Sequence, residues 1–349
     1  MAKTMRALRW HARNDVRLDE VNVPPSPRAN EVQIRVLWTG ICATDIEEWL
    51  RGPIFIPIDP HQLTDSRAPL TLGHEIAGEV VAIGREVKGL ALGDRVAVDG
   101  LSSCGDCEWC QVDRPVLCSS LAAVGLMSDG GLAEFCNVPA KGCFPIPLSL
   151  GADVAALSET LAVGVRALAR GRFVSGDSVA VIGAGAVGLL AMQAARAFGA
   201  SHVSMLEKDP SRRALAVKLG ADSIGESAND IPQANVVLEC SGSSSAASSA
   251  IVIARPGGRV VLVGLYSQPV VIDALTVVTG EREIVGSLSH HYKTDFAAAV
   301  SLLGLGLVNA APLISHRVRL VDALGALTSL VAQPADHLKV LVSPVDLSS

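Results

Sequence analysis

The sequence predicts an α/β chain in two parts, a β-rich first part followed by a doubly wound parallel sheet. Three observations predict it: short apolar alternations separated by Gly and Asp before residue 100, strand and helix patterns in alternation from about Ser175, and a glycine run, G-A-G-A-V-G, where the first of those strands meets its helix. A length of 349 residues exceeds one ordinary core and suggests two domains. Apolar content of 49% with 18% charged residues indicates a packed globular protein, its core built mainly from Val, Leu, Ile and Ala.

In chain order, VQIRVLW, IAGEVVAIG and DRVAV read as small antiparallel strands, and the division between the parts falls near residue 150. Then come VAVIG, an Ala-rich helix, VSMLE, a helix through RRALAVKLGA, NVVLECSG, a second Ala-rich run and GRVVLVG. A helix near Asp295 to Leu303 and a closing strand HLKVLVS end the chain. The apolar stretch 179–200 carries Gln193, Arg196 and four glycines, so strand, turn and helix account for it better than a membrane span.

Cys104, Cys107, Cys110 and Cys118 form a C-x2-C-x2-C-x7-C ladder, which reads as a closed thiolate cage for one structural zinc ion. A second, open site is expected at Cys42, at the end of an apolar strand, with His74 and Glu75 on a glycine turn. Glu159, acidic in an apolar helix start, is either a charge at the helix N-terminus or a third ligand. Zinc with one thiolate, one neutral imidazole and one carboxylate is formally neutral. Cys42, His74 and Glu159 are therefore the expected resting set, with Glu75 behind them or exchanging in.

Gly183, Gly185 and Gly188, with Ala184, Ala186 and Val187 between them, have the context a dinucleotide needs, strand before and helix after. Glu207 ends the next strand, where a carboxylate accepts ribose hydroxyls and repels a 2′-phosphate. NAD is thus expected over NADP, with Lys208, Arg212 and Arg213 nearby to blur the preference. A net charge of −6 without a basic stripe argues against nucleic acid. The start MAKTMRALRWHARNDV has no apolar signal region, so a cytoplasmic protein is expected, off the membrane, with its eight cysteines as ligands or buried thiols. Cys136, Cys143 and Cys240 are expected as buried apolar side chains, and His290 and His291 as surface imidazoles.

With GHE at 73–75, the cysteine lobe at 104–118, GxGxxG at 183–188 and ETLAV from Glu159, the chain resembles the zinc-dependent medium-chain alcohol dehydrogenases over essentially its whole length. ETLAV is similar to the EPLAV of the polyol and butanediol branch. GPIFIP at 52–57 and APLTLGHE at 68–75 resemble the (R,R)-butanediol dehydrogenase group. The resemblance implies a GroES-like catalytic domain over 1–152, with 292–349 folding back onto it, and a Rossmann domain over 153–291. It also implies two zinc ions per chain, NAD, a homodimer or homotetramer, and a small alcohol or ketone as substrate. Thr44 takes the place of the family's relay hydroxyl, and Asp45 is a candidate to orient His74. The chain departs from the pattern in CATD, where CGSD or CGTD is usual, and in Glu47, where the relay histidine is expected; Glu47 or Glu48 could pass the proton instead.

The function expected is hydride transfer between NAD and a secondary alcohol, either a vicinal diol, an α-hydroxyketone or a polyol. A dehydrogenase of a cyclic polyol or other biosynthetic intermediate is the enzymatic rival. A non-catalytic dinucleotide-binding protein is the rival of another class, and a metal content of about one zinc per chain in place of two would favour it.

Overall fold

Alternation at every second residue builds the first sheet: along Glu31–Ile41, Val32, Ile34 and Val36 are fully buried. In the computed structural model, which describes residues 4–333 and 337–345, this strand is central. It pairs antiparallel with Glu75–Ile83 along one edge. Along the other it pairs with Phe135–Pro139 and then, at its carboxyl end, with Lys339–Ser343. Arg95–Val98 and Cys143–Pro145 extend the sheet one way, and Ile314–Arg319 extends it the other. Val32, Ile34, Ile76, Val80, Val96 and Val98 form its core. This compact unit takes in the described residues up to Glu159 and those from Ala310 onward.

The second unit, Thr160–Asn309, holds six parallel strands. Their spatial order is Ser223–Gly225, His202–Leu206, Ser178–Ile182, Ala234–Glu239, Ala254–Leu262 and Glu283–Gly286. The order runs outward from Ser178–Ile182 in both directions, so the switch point lies between that strand and Ala234–Glu239. Helices on a parallel sheet bury both faces, which is why Val179 to Ile182 are all buried. The apolar stretch from 179 resolves into that strand, a glycine turn and the helix Ala186–Ala197. Among the described residues no helix is long and apolar enough to cross a membrane.

Two side chains depart from expectation. His290 and His291 are buried, not surface imidazoles, because a π-helical turn, Tyr292–Phe296, folds back at this point. Buried Asp295 accepts the His291 N–H at 2.8 Å and lies 3.6 Å from Arg166. Cys136 and Cys143 are buried as expected, and burial pushes the Cys136 thiol up to about 12. Cys240 is half-buried by residue, and burial of its thiol raises it well above the usual range.

Candidate metal centre and cofactor site

Cys42 stands where Glu31–Ile41 gives way to the helix Ala43–Arg51, capping that helix while the Asp45 carboxylate accepts the Cys42 N–H at 2.8 Å. His74 and Glu75 follow the Gly73 turn, at φ +93°, on the neighbouring strand. Ligand atoms of Cys42, His74 and Glu75 all lie within 4.8 Å of one another. Glu159 is outside that trio, in the first turn of Ser158–Arg170, but its charge acts on both His74 and Lys339.

The donor set fits a metal cation. Burial opposes a charged His74, yet Cys42, Asp45 and Glu159 outweigh it and raise the imidazole well above its ordinary value, the mark of a site gathering negative charge. Asp45 is fully buried, and burial raises its carboxyl against the pull of His74 and the Cys42 N–H. Asp45 Oδ1 and His74 Nδ1 are buried 3.7 Å apart without hydrogen-bond partners. They suit an imidazole that carries its proton on Nδ1 toward Asp45 and turns Nε2 to a metal.

Lys339, missed from sequence, completes the cluster. Its Nζ lies 2.5 and 2.8 Å from the two Glu75 oxygens, and both side chains are almost fully buried. Burial opposes the Lys339 charge, but Glu75, then Cys42 and Glu159, raise it above its ordinary value. Gly40, paired with Glu75 in the middle strand, makes the contact possible: a Cβ there would lie 1.9 Å from Glu75 Oε2. Thr44 Oγ1 is 3.6 Å from Cys42 Sγ. Glu47 is not brought into the cluster; its carboxylate is 40% exposed and 3.3 Å from Arg51. Glu48 is fully buried and accepts the N–H groups of Ile54, Phe55 and Ile56, which ties down the loop after the helix.

In the cysteine lobe, Sγ separations are 3.5 Å for Cys107–Cys110 and Cys104–Cys118 and 3.9 Å for Cys104–Cys110. A tetrahedron with Zn–S of ~2.3 Å has edges of ~3.8 Å, so the four thiols fit one ion. Backbone N–H groups of Asp106 and Cys107 bring the Cys104 thiol down to about 6.

At the glycine turn Gly183 takes φ +96°, and a Cβ on Gly188 would lie 1.9 Å from Gly183 O, so neither position accepts a side chain. Gly185 caps the helix Ala186–Ala197 and faces open space, leaving a cradle that fits a pyrophosphate. Val187 lies in the first turn of that helix. Glu207 accepts the N–H of Ala184 in the turn at 2.6 Å, and those of Lys208 and Asp209 at 2.8 and 2.9 Å. Arg212 follows on the helix Pro210–Lys218.

Residues 28–148 match the alcohol dehydrogenase GroES-like domain, and residues 186–304 match the zinc-binding dehydrogenase family. The chain is 32% identical to the (R,R)-butanediol dehydrogenase of Bacillus subtilis (strain 168), over 97% of its own length and all of that relative's. The chain belongs to the zinc-dependent medium-chain alcohol dehydrogenases. Bos taurus sorbitol dehydrogenase, another member, is also 32% identical, over 90% of each chain. Among solved dehydrogenases, 2R,3R-butanediol dehydrogenase from Bacillus subtilis superposes with a TM-score of 0.89 at 30% identity, covering 98% of this chain and all of that one. A Sinorhizobium meliloti 1021 structure bound to NADP gives 0.88 at 31% identity with the same coverage. As a medium-chain dehydrogenase the chain is an enzyme of the GroES-like plus Rossmann architecture, with zinc and a nicotinamide dinucleotide as its cofactors.

Proposed function

We propose that this dehydrogenase transfers a hydride between NAD and the carbinol carbon of a vicinal diol, α-hydroxyketone or polyol, releasing the hydroxyl proton. The observation that carries this reading is the Cys42–His74–Glu75 cluster with buried Lys339 on Glu75. Bound there, zinc supplies the Lewis acidity that makes a substrate hydroxyl acidic.

The chain's own residues set the conditions. Cys42 and His74 are the ligands we assign, with Glu159 turning in from outside their cluster as the third, and Lys339 neutralises Glu75 so that a second carboxylate does not cancel the positive charge of the centre. Asp45 fixes the His74 ring. Thr44 Oγ1 accepts the departing proton as its own hydroxyl proton passes to solvent, a role its position beside Cys42 Sγ and its partial exposure support. Glu47, paired with Arg51, is left out of the relay. At the dinucleotide, Gly185 admits the pyrophosphate and Glu207 receives the ribose hydroxyls, which favours NAD over NADP.

The names of the relatives, butanediol and sorbitol dehydrogenase, favour diol and polyol substrates. A homodimer or homotetramer in the cytoplasm is part of the proposal, and the use of cysteines as free thiols supports that compartment. The test is a screen of NAD reduction across diols, ketols, sugar alcohols and cyclitols on protein of measured zinc content. Turnover of a secondary diol or polyol is expected; protein holding both zinc ions that oxidises none of them overturns the reading.

A further inference from the structure

Glu239 ends the strand Ala234–Glu239 beside Ile182, at the switch point, and is fully buried. Its carboxylate gathers neutral donors from two loops. Ser241 N–H and Gly242 N–H donate at 2.8 and 3.1 Å, the Ser241 hydroxyl donates as well, and the Tyr266 hydroxyl donates from the loop after Ala254–Leu262. Its carbonyl accepts the N–H groups of Val263 and Gly264 at 2.9 and 3.0 Å.

The two loops touch each other and the cofactor turn. A Cβ on Gly264 would lie 2.1 Å from Gly242 N, and a Cβ on Gly183 would lie 3.0 Å from Ser241 Cβ. In a doubly wound sheet each half binds one mononucleotide. Glu207 lies on the adenosine side of the switch point, so the loops after Ala234–Glu239 and Ala254–Leu262 serve the nicotinamide half.

We infer that the bond between Tyr266 and Glu239 is a clamp that preorganises these two loops for the nicotinamide half of the dinucleotide. The inference rests on the dinucleotide reading of the glycine turn. Gly242, at φ +69°, Ser243 and Gly264 have backbones that are costly to order, and a loop ordered before binding does not charge that cost to affinity. Burial, together with the adjoining carboxylate, raises the Tyr266 phenol far above its usual range, so it remains a donor throughout the working pH range. Tyr266 and Glu239 are positioning residues in this scheme.

The test is calorimetric titration of NADH and, separately, AMP into wild type and Tyr266→Phe, without substrate. The Kd for NADH is expected to rise about tenfold, the loss of one hydrogen bond to a charged group, while that for AMP stays unchanged. Glu239→Gln, which puts a donor among donors, is expected to shift the ratio further in the same direction, and serves if Tyr266→Phe folds poorly. Parallel weakening of NADH and AMP, or no change in either, overturns the clamp alone. Wild-type protein that binds neither NADH nor NADPH overturns both the clamp and the cofactor reading.

Discussion

Lys339 and Glu75 are joined by two contacts of 2.5 and 2.8 Å through the gap that Gly40 leaves between their strands. Lys339→Met would strand a buried carboxylate, and a loss of about 3–5 kcal/mol in denaturant unfolding is expected. Glu75→Gln combined with Lys339→Met should recover much of it, because neither charge is then left alone; strictly additive losses would show that the two do not act as a pair. The pair raises the Lys339 ammonium above its ordinary value, so the ammonium's contribution is complete at neutral pH and is lost as pH climbs through that raised value.

Gly40→Ala tests the gap itself. The added Cβ would sit 1.9 Å from Glu75 Oε2, so the carboxylate must leave its place. The expected outcome is protein that keeps the cysteine-lobe metal, loses most of its affinity for the second metal and loses alcohol oxidation. Two metals per chain with normal turnover would show that Glu75 can move without consequence for the centre.

The cysteine lobe makes a pH-dependent prediction. In metal-free protein Cys104 is held at about 6, whereas burial raises Cys118. The thiolate is the reactive form, so Cys104 should be the first of the four alkylated by iodoacetamide, its rate rising through about pH 6 and level above. Peptide mapping reads this directly, and zinc should protect all four. Preferential modification of Cys118 at neutral pH would contradict it.

Local chemistry was legible in the sequence and long-range chemistry was not. The cysteine ladder and the glycine turn each complete their geometry within fifteen residues, so spacing alone conveys it. Lys339 meets Glu75 across 264 positions, and only the register of three strands reveals the contact. A lysine at the head of the apolar run KVLVS was the available signal, since a strand buried along its length needs a partner for such a charge. The burial of His290 and His291 depends on a π-helical turn that no periodicity announces. Glu47 and Glu48 differ only in helical phase, and Asp45 with Glu48, three apart, marked the inward face.

That phase separates the two glutamates by function. Glu47→Ala removes an exposed partner of Arg51, and the pH profile of alcohol oxidation should not move. Glu48→Ala removes the acceptor for three N–H groups at residues 54–56, so reduced stability in denaturant unfolding is expected. A profile shifted by Glu47→Ala would return that carboxylate to the proton relay.

Glu207 has two duties that substitutions can separate. Its oxygens hold the N–H groups of Ala184, Lys208 and Asp209, and in the function proposed above its charge repels a ribose 2′-phosphate. Glu207→Gln keeps an acceptor for the turn and removes the charge, so NADPH should gain on NADH by about tenfold in kcat/KM, with NADH binding only modestly weakened. Glu207→Ala also frees the Ala184 amide, and both dinucleotides should weaken together on top of the lost discrimination. Equal preference ratios in wild type and both variants would mean that the carboxylate only shapes the turn, and that selection between the cofactors belongs to Arg212 and its neighbours.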